Sequence, residues 1–255
     1  NGKPPPPQGP GAGVCPPNPV DACDAFSPAQ IIFIRLLQTF NLGTEEEPLF
    51  IDEQTAREIT EAIVDWLDAD SQPTYPGGAE SDHYLGLEVP ISIANQEMIS
   101  VSELQVVKGM TPELYNQLVN YVIALPIKNA TKMNINTASP FLLRALRKED
   151  ECDNLLPYDA EVGQELAAFV QVEGFKDWDG MENNPDVPLQ WVDAQNQIKV
   201  DKNIFGHGPS KYFLLKSEVG IGEDFVRRGQ SLIYRDDGSS SAQNNQGNKM
   251  SVEVV

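Results

Sequence analysis

The chain repeats one start signal for an α-helix, and this signal constrains its fold more than any other feature. A Ser or Thr directly followed by Pro stands at positions 27–28, 111–112 and 139–140, each time ahead of apolar residues. The hydroxyl can accept a hydrogen bond from a free backbone N–H of the first turn. Pro has no backbone N–H, but at the first helical position this donor has no partner within the helix, so Pro is tolerated there. The middle of the chain is therefore predicted to consist of short helices that begin at these pairs.

Other helix signals support this prediction. Asp52 is expected to cap a helix with one apolar face, and Asp159 precedes a further helical stretch. Ser100 and Glu103 form a capping box that starts a short helix ending at Gly109. The apolar face of the helix after Asp52 is formed by Ala56, Ile59, Ile63, Trp66 and Leu67.

The three Ser/Thr-Pro helices differ in their expected ends and faces. The first, "SPAQIIFIRLLQTF", is apolar nearly all round and is predicted to be buried. The second is expected to run on until Pro126 closes it. The third is expected to supply a core face made of Phe141, Leu142, Leu143 and Leu146.

Beyond about residue 205 the pattern changes from helical to strand-like. The segments "SKYFLLKSEVGI", "EDFVRRGQSLIYRD" and "MSVEVV" are rich in β-branched and aromatic residues, and a polar stretch, "DGSSSAQNNQGNK", connects the last two. They predict an antiparallel meander. Because three strands cannot bury an apolar face alone, a packed helix or further strands must complete this sheet.

Residues 1–26 are rich in Pro and Gly and are predicted to form an extended loop. Two of the three cysteines, Cys15 and Cys23, lie in it, and the third is Cys152. Their spacing fits neither a zinc site nor a redox pair. A local Cys15–Cys23 disulfide would suit an oxidising compartment such as a periplasm, and a Cys23–Cys152 bridge remains the alternative.

The charge of the chain disfavours several kinds of partner. Its 255 residues carry 38 acidic and 18 basic side chains, a formal net charge of -20, so that nucleic acid and anionic membrane surfaces are repelled and hard cations are attracted. No run of about 18 apolar residues and no signal peptide is present. Since it begins without Met inside a Pro/Gly tract, we expect a soluble fragment of a longer protein.

The stretch "DWLDADSQPTYPGGAESDHY", residues 65–84, is the main candidate site. Its first carboxylates fall at the end of a predicted helix, where the macrodipole disfavours negative charge. A loop that doubles back could deliver several carboxylates to one cation, although acidic loops are usually only solvated. The acidic residues are Asp65, Asp68, Asp70, Glu80 and Asp82.

The spacing of this stretch does not match an EF-hand. Counting from Asp68, Pro73 stands where the sharp-turn Gly belongs and Ala79 where the bidentate Glu belongs. A carboxylate-dependent glycoside hydrolase is an alternative interpretation of the same residues. A second acidic stretch, "DWDGMENNPDVP" at residues 177–188, is more typical of a solvated loop.

The sequence offers no motif for catalysis. The two histidines, His83 and His207, lie in turn-rich segments without a nucleophile motif, and neither a P-loop nor a dinucleotide fingerprint occurs. The chain is therefore not expected to be an enzyme. Residues 100–125 resemble a helix-hairpin-helix or SAM-like module, but "VKGMTPE" holds a single Lys amid excess acid. Protein packing is favoured there, with a nucleic-acid-binding module as the alternative.

Several short motifs in a fixed order resemble one family. "AIVDWLDAD", "GGAESDHY", "ISVSELQVVKGM" and "NINTASPFLLRAL" are similar to the K component of type II secretion systems, the large minor pseudopilin known as the GspK family. The resemblance covers roughly residues 30–150, and "SKYFLLKSEV" and "SLIYR" are consistent with closing strands of that family.

The resemblance implies an α+β fold. A pseudopilin has a hydrophobic N-terminal helix packed on an antiparallel sheet, and here a large α-helical domain is inserted between strands; the hydrophobic helix is absent from this chain. The implied division is a pseudopilin loop at 1–26, the inserted helical domain at 27–204 and the C-terminal pseudopilin strands at 205–255.

The resemblance also implies a role. The protein would form the tip of a periplasmic pseudopilus with pseudopilins I and J, capping and initiating the fibre for protein export across the outer membrane of a Gram-negative bacterium. It would have no catalytic activity, and the missing helix would anchor its precursor in the inner membrane. Secreted cargo is an open candidate partner. Calcium binding is implied as well, through the matching acidic residues Asp65, Asp68, Asp70, Glu80 and Asp82.

Overall fold

Helices and strands occupy separate parts of the chain. The computed structural model describes residues 25–74, 76–125, 132–147, 154–174, 177–182, 184–195, 197–208, 210–221, 225–235 and 252–253. Its α-helices within these ranges are α1 (Pro28–Leu37), α2 (Glu53–Leu67), α3 (Ser81–Leu85), α4 (Pro112–Leu118), α5 (Pro140–Ala145), α6 (Ala160–Glu173) and α7 (Trp178–Glu182). Short 3₁₀ helices lie at Val101–Val106, Ile135–Thr137 and Leu189–Trp191. None of the described helices combines the length and apolar character needed to cross a membrane.

The predicted helix starts are confirmed by their caps. Ser27 and Gln30 form a capping box at α1, with the Ser27 N–H donating to Gln30 Oε1 at 2.7 Å. Thr111 and Ser139 each accept a hydrogen bond from a backbone N–H of the first turn, at 3.2 and 3.3 Å, and Pro opens both helices. Asp52 caps α2 in the same way through a backbone N–H at 2.8 Å. Local side-chain chemistry therefore fixes where these helices begin.

Two predicted helix ends are wrong. The segment after Ser100 has the expected capping box but forms a 3₁₀ helix that stops at Val106, because Val107 turns extended to reach the core before Gly109. Helix α4 ends at Leu118, well before Pro126, which lies outside the described residues. There the side-chain amide of Asn120 donates to two carbonyl oxygens of the last turn, which competes with continuation of the helix.

The apolar faces follow the prediction only in part. Helix α1 is buried as expected and packs on α2 and α5. In α2, Leu67 is 37% exposed and Ala62 is buried instead, because the following loop folds back over the side of the helix that carries Glu61 and Asp65. In α5, Leu143 is fully buried whereas Phe141 is 37% exposed.

The C-terminal strands pair as predicted. Strands β3 (Tyr212–Ile221) and β4 (Phe225–Tyr234) form an antiparallel hairpin along their whole length, and β5 (Val252–Glu253) pairs with β4 at two residues. Two further strands, β1 (Met133–Asn134) and β2 (Phe205–Gly206), make a short parallel pair that ties the helical part to the start of the strand region. The fold is thus a mixture of helix and strand, in agreement with the predicted α+β class.

Some predictions fall on segments outside the described residues. They concern residues 1–24 of the predicted extended loop at 1–26, the polar connection at 237–249 and the pairing of Cys15, Cys23 and Cys152.

Candidate metal centre

The acidic stretch leaves α2, doubles back and enters α3. Asp68 is the C-cap of α2, with an extended backbone and its N–H donating to Val64 O. Residues 69–74 have no regular helix or strand, and a turn that ends with Gly77 and Gly78 leads to Glu80, the N-cap of α3. The two ends of the stretch are thereby brought together.

Asp65 organises this return. It is fully buried in the last turn of α2, where Thr74 donates to its carboxylate from the backbone N–H at 3.0 Å and from the hydroxyl at 2.5 Å. A Cβ on Gly78 would collide with the same carboxylate and with the backbone of Thr74. A glycine at this position therefore lets the loop close onto Asp65.

Three predicted residues converge at the mouth of the loop. One carboxylate oxygen from each of Asp68, Asp70 and Glu80 lies within 4.8 Å of the other two. The first two carboxylates also cap turns, since Asp68 accepts from the Asp70 N–H and Asp70 accepts from the Gln72 N–H at 2.8 Å. Each still has a second oxygen to offer.

Glu80 is the most buried member of this group. Its side chain is 6% exposed, and neither carboxylate oxygen has a hydrogen-bond partner among the described residues. Burial, followed by the negative charges of Asp65 and Asp68, raises the pKa of the Glu80 carboxyl above its ordinary value. A buried carboxylate without donors is costly, and a bound cation would remove that cost.

Asp82 stands apart from the other predicted residues. It is exposed on the first turn of α3 and does not belong to the group formed by Asp68, Asp70 and Glu80. The loop geometry thus separates the five predicted residues into a group of three, a buried loop anchor at Asp65 and an exposed neighbour at Asp82.

Asn95 is a functional candidate that the sequence prediction missed. Its side-chain Nδ2 donates to the Asp70 carbonyl oxygen at 2.7 Å, and its Oδ1 is buried without a partner among the described residues. Its backbone φ is +44°, a left-handed conformation that Asn tolerates better than most residues. Asn95 therefore brings an unused neutral oxygen to the acidic loop. Only its turn-prone residue type hinted at this role in the sequence.

Glu61 is a second missed residue. It is buried on α2, where it accepts a hydrogen bond from the Gly77 N–H at 2.6 Å. Burial raises the pKa of its carboxyl, partly offset by this donor. Because its sequence position is ordinary for an amphipathic helix, nothing in the pattern distinguishes it from a solvated glutamate.

The oxygen chemistry of the site suits a hard cation. Calcium takes six to eight oxygen ligands from carboxylates, amide or backbone carbonyls and water, and the loop offers the first two kinds. The described apolar groove of about 670 Å³ lies elsewhere, between residues 97–125 and the β3–β4 hairpin. The acidic group is therefore not the floor of that groove, where a polysaccharide chain could be held.

The second acidic stretch has a structural explanation. Asp177 accepts a hydrogen bond from the Gly180 N–H at 2.6 Å and so supports the start of α7. The Asn184 side chain caps the following turn in the same way, from the Asp186 N–H at 2.9 Å. These contacts agree with the predicted solvated loop.

The hairpin that resembles a nucleic-acid module faces the acidic loop. Lys108 donates through Nζ to the carbonyl oxygens of Gly77 and Gly78, at 2.8 and 3.3 Å. The only lysine of this hairpin is thus already engaged by the protein itself.

Comparisons with known proteins agree with the resemblance found in the sequence. Residues 20–127 match the family model for the type II secretion system (T2SS) protein K. The protein K of Pectobacterium carotovorum subsp. carotovorum is 45% identical over 114 residues, which cover 45% of this chain and 31% of that protein. The protein K of Klebsiella pneumoniae is 38% identical over 151 residues, which cover 56% of this chain and 43% of that protein. The matched part of the chain thus spans less than half the length of these relatives.

The fold is similar to a solved structure as well. A chain of the crystal structure of the GspK–GspI–GspJ complex from the enterotoxigenic Escherichia coli type 2 secretion system aligns with a TM-score of 0.60 and 25% sequence identity. The alignment covers 85% of this chain and 70% of that chain. Residues 20–127, which match this family model, include the whole acidic loop and the hairpin at residues 107–113, so the part of the chain that carries the candidate site is similar to the type II secretion system protein K.

Proposed function

We propose that this protein is a minor pseudopilin that assembles with pseudopilins I and J at the tip of a type II secretion pseudopilus. The observation that carries the proposal is the similarity of 85% of the chain to a chain of the GspK–GspI–GspJ complex. In this role it caps and initiates the fibre for protein export across the outer membrane. Its place is the periplasm, with the full-length precursor anchored in the inner membrane.

The distribution of elements supports a cap. The described α-helices lie between residues 28 and 182, and the long antiparallel hairpin follows them in the chain. This order fits a helical domain inserted ahead of the closing pseudopilin strands. A bulky helical domain above the last sheet would block the addition of another subunit, so that the fibre ends at this protein.

The β3–β4 hairpin offers a surface for neighbouring subunits. Phe213, Leu215 and Val219 lie on the same side of β3, and their exposed fractions are 42%, 54% and 58%. The other side of the hairpin, with Tyr212 and Leu214, lines the groove against the helical part. An apolar strip of this kind on a component of a secretion system is suited to contact with another protein.

Calcium binding by the acidic loop is part of the proposal. Asp68, Asp70 and Glu80 would supply carboxylate oxygens and Asn95 an amide oxygen, while Asp65 holds the loop closed; Asp82 would contribute only if α3 shifts toward the group. The positive charge of the ion would offset the electrostatic repulsion among these closely placed carboxylates. It would join the end of α2 to the start of α3.

The decisive experiment is co-purification with pseudopilins I and J of the same organism. A stable complex of the three proteins on size exclusion, with one copy of each by mass, is the expected result. Elution of this protein alone at micromolar concentration would contradict the proposal. Salt-sensitive DNA binding in a gel shift would instead favour the nucleic-acid module, and cleavage of a polysaccharide panel would favour the hydrolase.

A further inference from the structure

We infer that Lys108 is a positioning residue for the cation site, acting through the backbone of the Gly77–Gly78 turn. The inference rests on the cation site proposed above. It concerns a residue outside the acidic loop, in the hairpin that follows the 3₁₀ helix at Val101–Val106.

The turn is held from both sides. Its Gly77 N–H donates to Glu61 on α2 at 2.6 Å, and its Gly78 N–H donates to the Thr74 carbonyl at 2.7 Å. The two carbonyl oxygens of the same residues point the other way and receive the Lys108 ammonium. The described donors of the turn are thus satisfied by the loop and its helix, whereas its carbonyls depend on Lys108.

The position of the turn fixes where Glu80 lies. Gly78 is two residues before Glu80, and neither glycine has space for a Cβ, because Gly77 packs on Glu58 and Gly78 packs on Asp65. A backbone wedged in this way transmits its position to the next residues. When Lys108 releases the two carbonyls, the turn can relax and the Glu80 carboxylate can leave the group that it forms with Asp68 and Asp70.

The hairpin that carries Lys108 is itself fixed. The Lys108 N–H donates to the hydroxyl of the buried Tyr84 at 3.3 Å, and Tyr84 packs edge-on against Trp66 with ring centroids 5.2 Å apart. The adjacent Gly109, with φ of +84°, approaches Ile59 of α2 closely. Lys108 therefore reaches the turn from a rigid base rather than from a loose surface loop.

The mode of action is geometric. A lysine ammonium has three donors and no acceptor, so it cannot ligate a cation and would repel one at close range. Its described partners are carbonyl oxygens, not carboxylates. Outer residues that orient metal ligands typically change metal affinity by about 10–100-fold when they are removed.

The test compares Lys108→Met with Lys132→Met by calcium titration calorimetry at a temperature where both are folded by circular dichroism. Lys132 is exposed and donates to the Lys202 carbonyl at 2.7 Å, so its replacement removes the same charge and the same kind of contact at a carbonyl outside the loop. We expect K108M to bind calcium at least about tenfold more weakly and K132M to match the wild type.

The outcomes separate the two proposals. If the wild type takes up no calcium, the cation site itself is wrong, and the role of Lys108 with it. If the wild type binds and K108M binds equally well, only the role of Lys108 is wrong. A lower melting temperature of K108M in chelator with an unchanged calcium affinity would mean that Lys108 only stabilises the fold, and it would also overturn the inference. Should K108M fail to fold, Lys108→Gln is judged by the same tenfold criterion.

Discussion

Glu80 and Asp65 show how two carboxylates of one loop come to play different parts. Asp65 receives three hydrogen-bond contacts from Thr74, which satisfy its charge within the protein. Glu80 is nearly as buried but receives none for its oxygens among the described residues. The difference follows from the turn at Gly77–Gly78, which directs donors toward α2 and leaves Glu80 facing the other carboxylates.

Replacing Glu80 by Gln is predicted to separate calcium binding from folding. The amide has nearly the same shape but no charge, so the burial cost and the repulsion that raise the Glu80 pKa disappear, and the melting temperature in chelator is expected to rise. Calcium affinity is expected to fall by about a hundredfold or more, since a ligand matters at least as much as an outer residue. Calorimetry and thermal melting with and without calcium measure the two effects.

The matched control for this prediction is Glu88→Gln. Glu88 is exposed in the segment after α3, so the same change there removes one charge without touching the site. Its calcium affinity is expected to equal that of the wild type. Equal affinities of the Glu80 and Glu88 variants would show that the ion, if bound, is held elsewhere.

At the scale of elements, helix starts were predictable and helix ends were not. A start depends on one capping side chain and the next few residues, and Ser27, Thr111 and Ser139 all behave as their sequence indicates. An end depends on contacts made from afar. The 3₁₀ helix ends where the Val107 side chain packs into the core. Helix α4 ends where the side-chain amide of Asn120 donates to carbonyl oxygens of its last turn. Neither contact follows from local spacing.

The candidate site, too, was predictable only where it depends on residues that are close along the chain. The sequence indicates which carboxylates share the loop, because Asp65 to Asp82 are close along the chain. It does not indicate that Asn95 and Lys108 reach the loop from later segments, since those contacts require the tertiary packing of these segments against the loop. Long-range partners of a loop are the part of a site that spacing cannot predict.

Helix α2, which positions the site, is predicted to lose stability in acid through its cap. The Thr55 backbone N–H, which donates to the carboxylate, is the main cause that lowers the pKa of Asp52 from the ordinary value of 3.8. A carboxyl with a lowered folded pKa stabilises the fold above its unfolded pKa, and this contribution is lost as the pH falls through the folded pKa.

The measurement is urea unfolding of the wild type and Asp52→Asn in chelator, at neutral pH and at about pH 3. Asn also caps helices but does not titrate in this range, so the stability advantage of the wild type should shrink in acid. An advantage that stays constant between the two pH values would show that the charge of Asp52 is irrelevant to α2.

At the scale of the whole molecule, the surface combines strong negative charge with an uncovered apolar strip. A net charge of -20 keeps copies of the chain apart and disfavours nucleic acid. Phe213, Leu215 and Val219 nevertheless expose apolar side chains on one side of β3, where Ser217 lies between them and Arg227 pairs opposite Val219. A surface of this kind favours a partner that carries apolar and basic groups, and it disfavours binding of a second copy of the chain. This agrees with the proposed assembly with other subunits.

Placing a charge on this strip is therefore predicted to block assembly without unfolding the helical part. In Leu215→Glu, a carboxylate would have to be buried against pseudopilin I or J without a partner, which is costly. We expect the dissociation constant of the three-protein complex to rise by about tenfold or more, which corresponds to a loss of at least about 1.4 kcal/mol of binding free energy, and the co-purified yield to fall with it.

Leu189→Glu provides the control for this change. Leu189 is 76% exposed in the 3₁₀ helix at Leu189–Trp191, outside the hairpin, so it tests the same substitution on another surface. Both variants should retain the wild-type circular dichroism spectrum, because each altered side chain is already in contact with water. If L189E reduces co-purification and L215E does not, the contact with the neighbouring subunits lies on the helical part, and the strip on β3 serves another purpose.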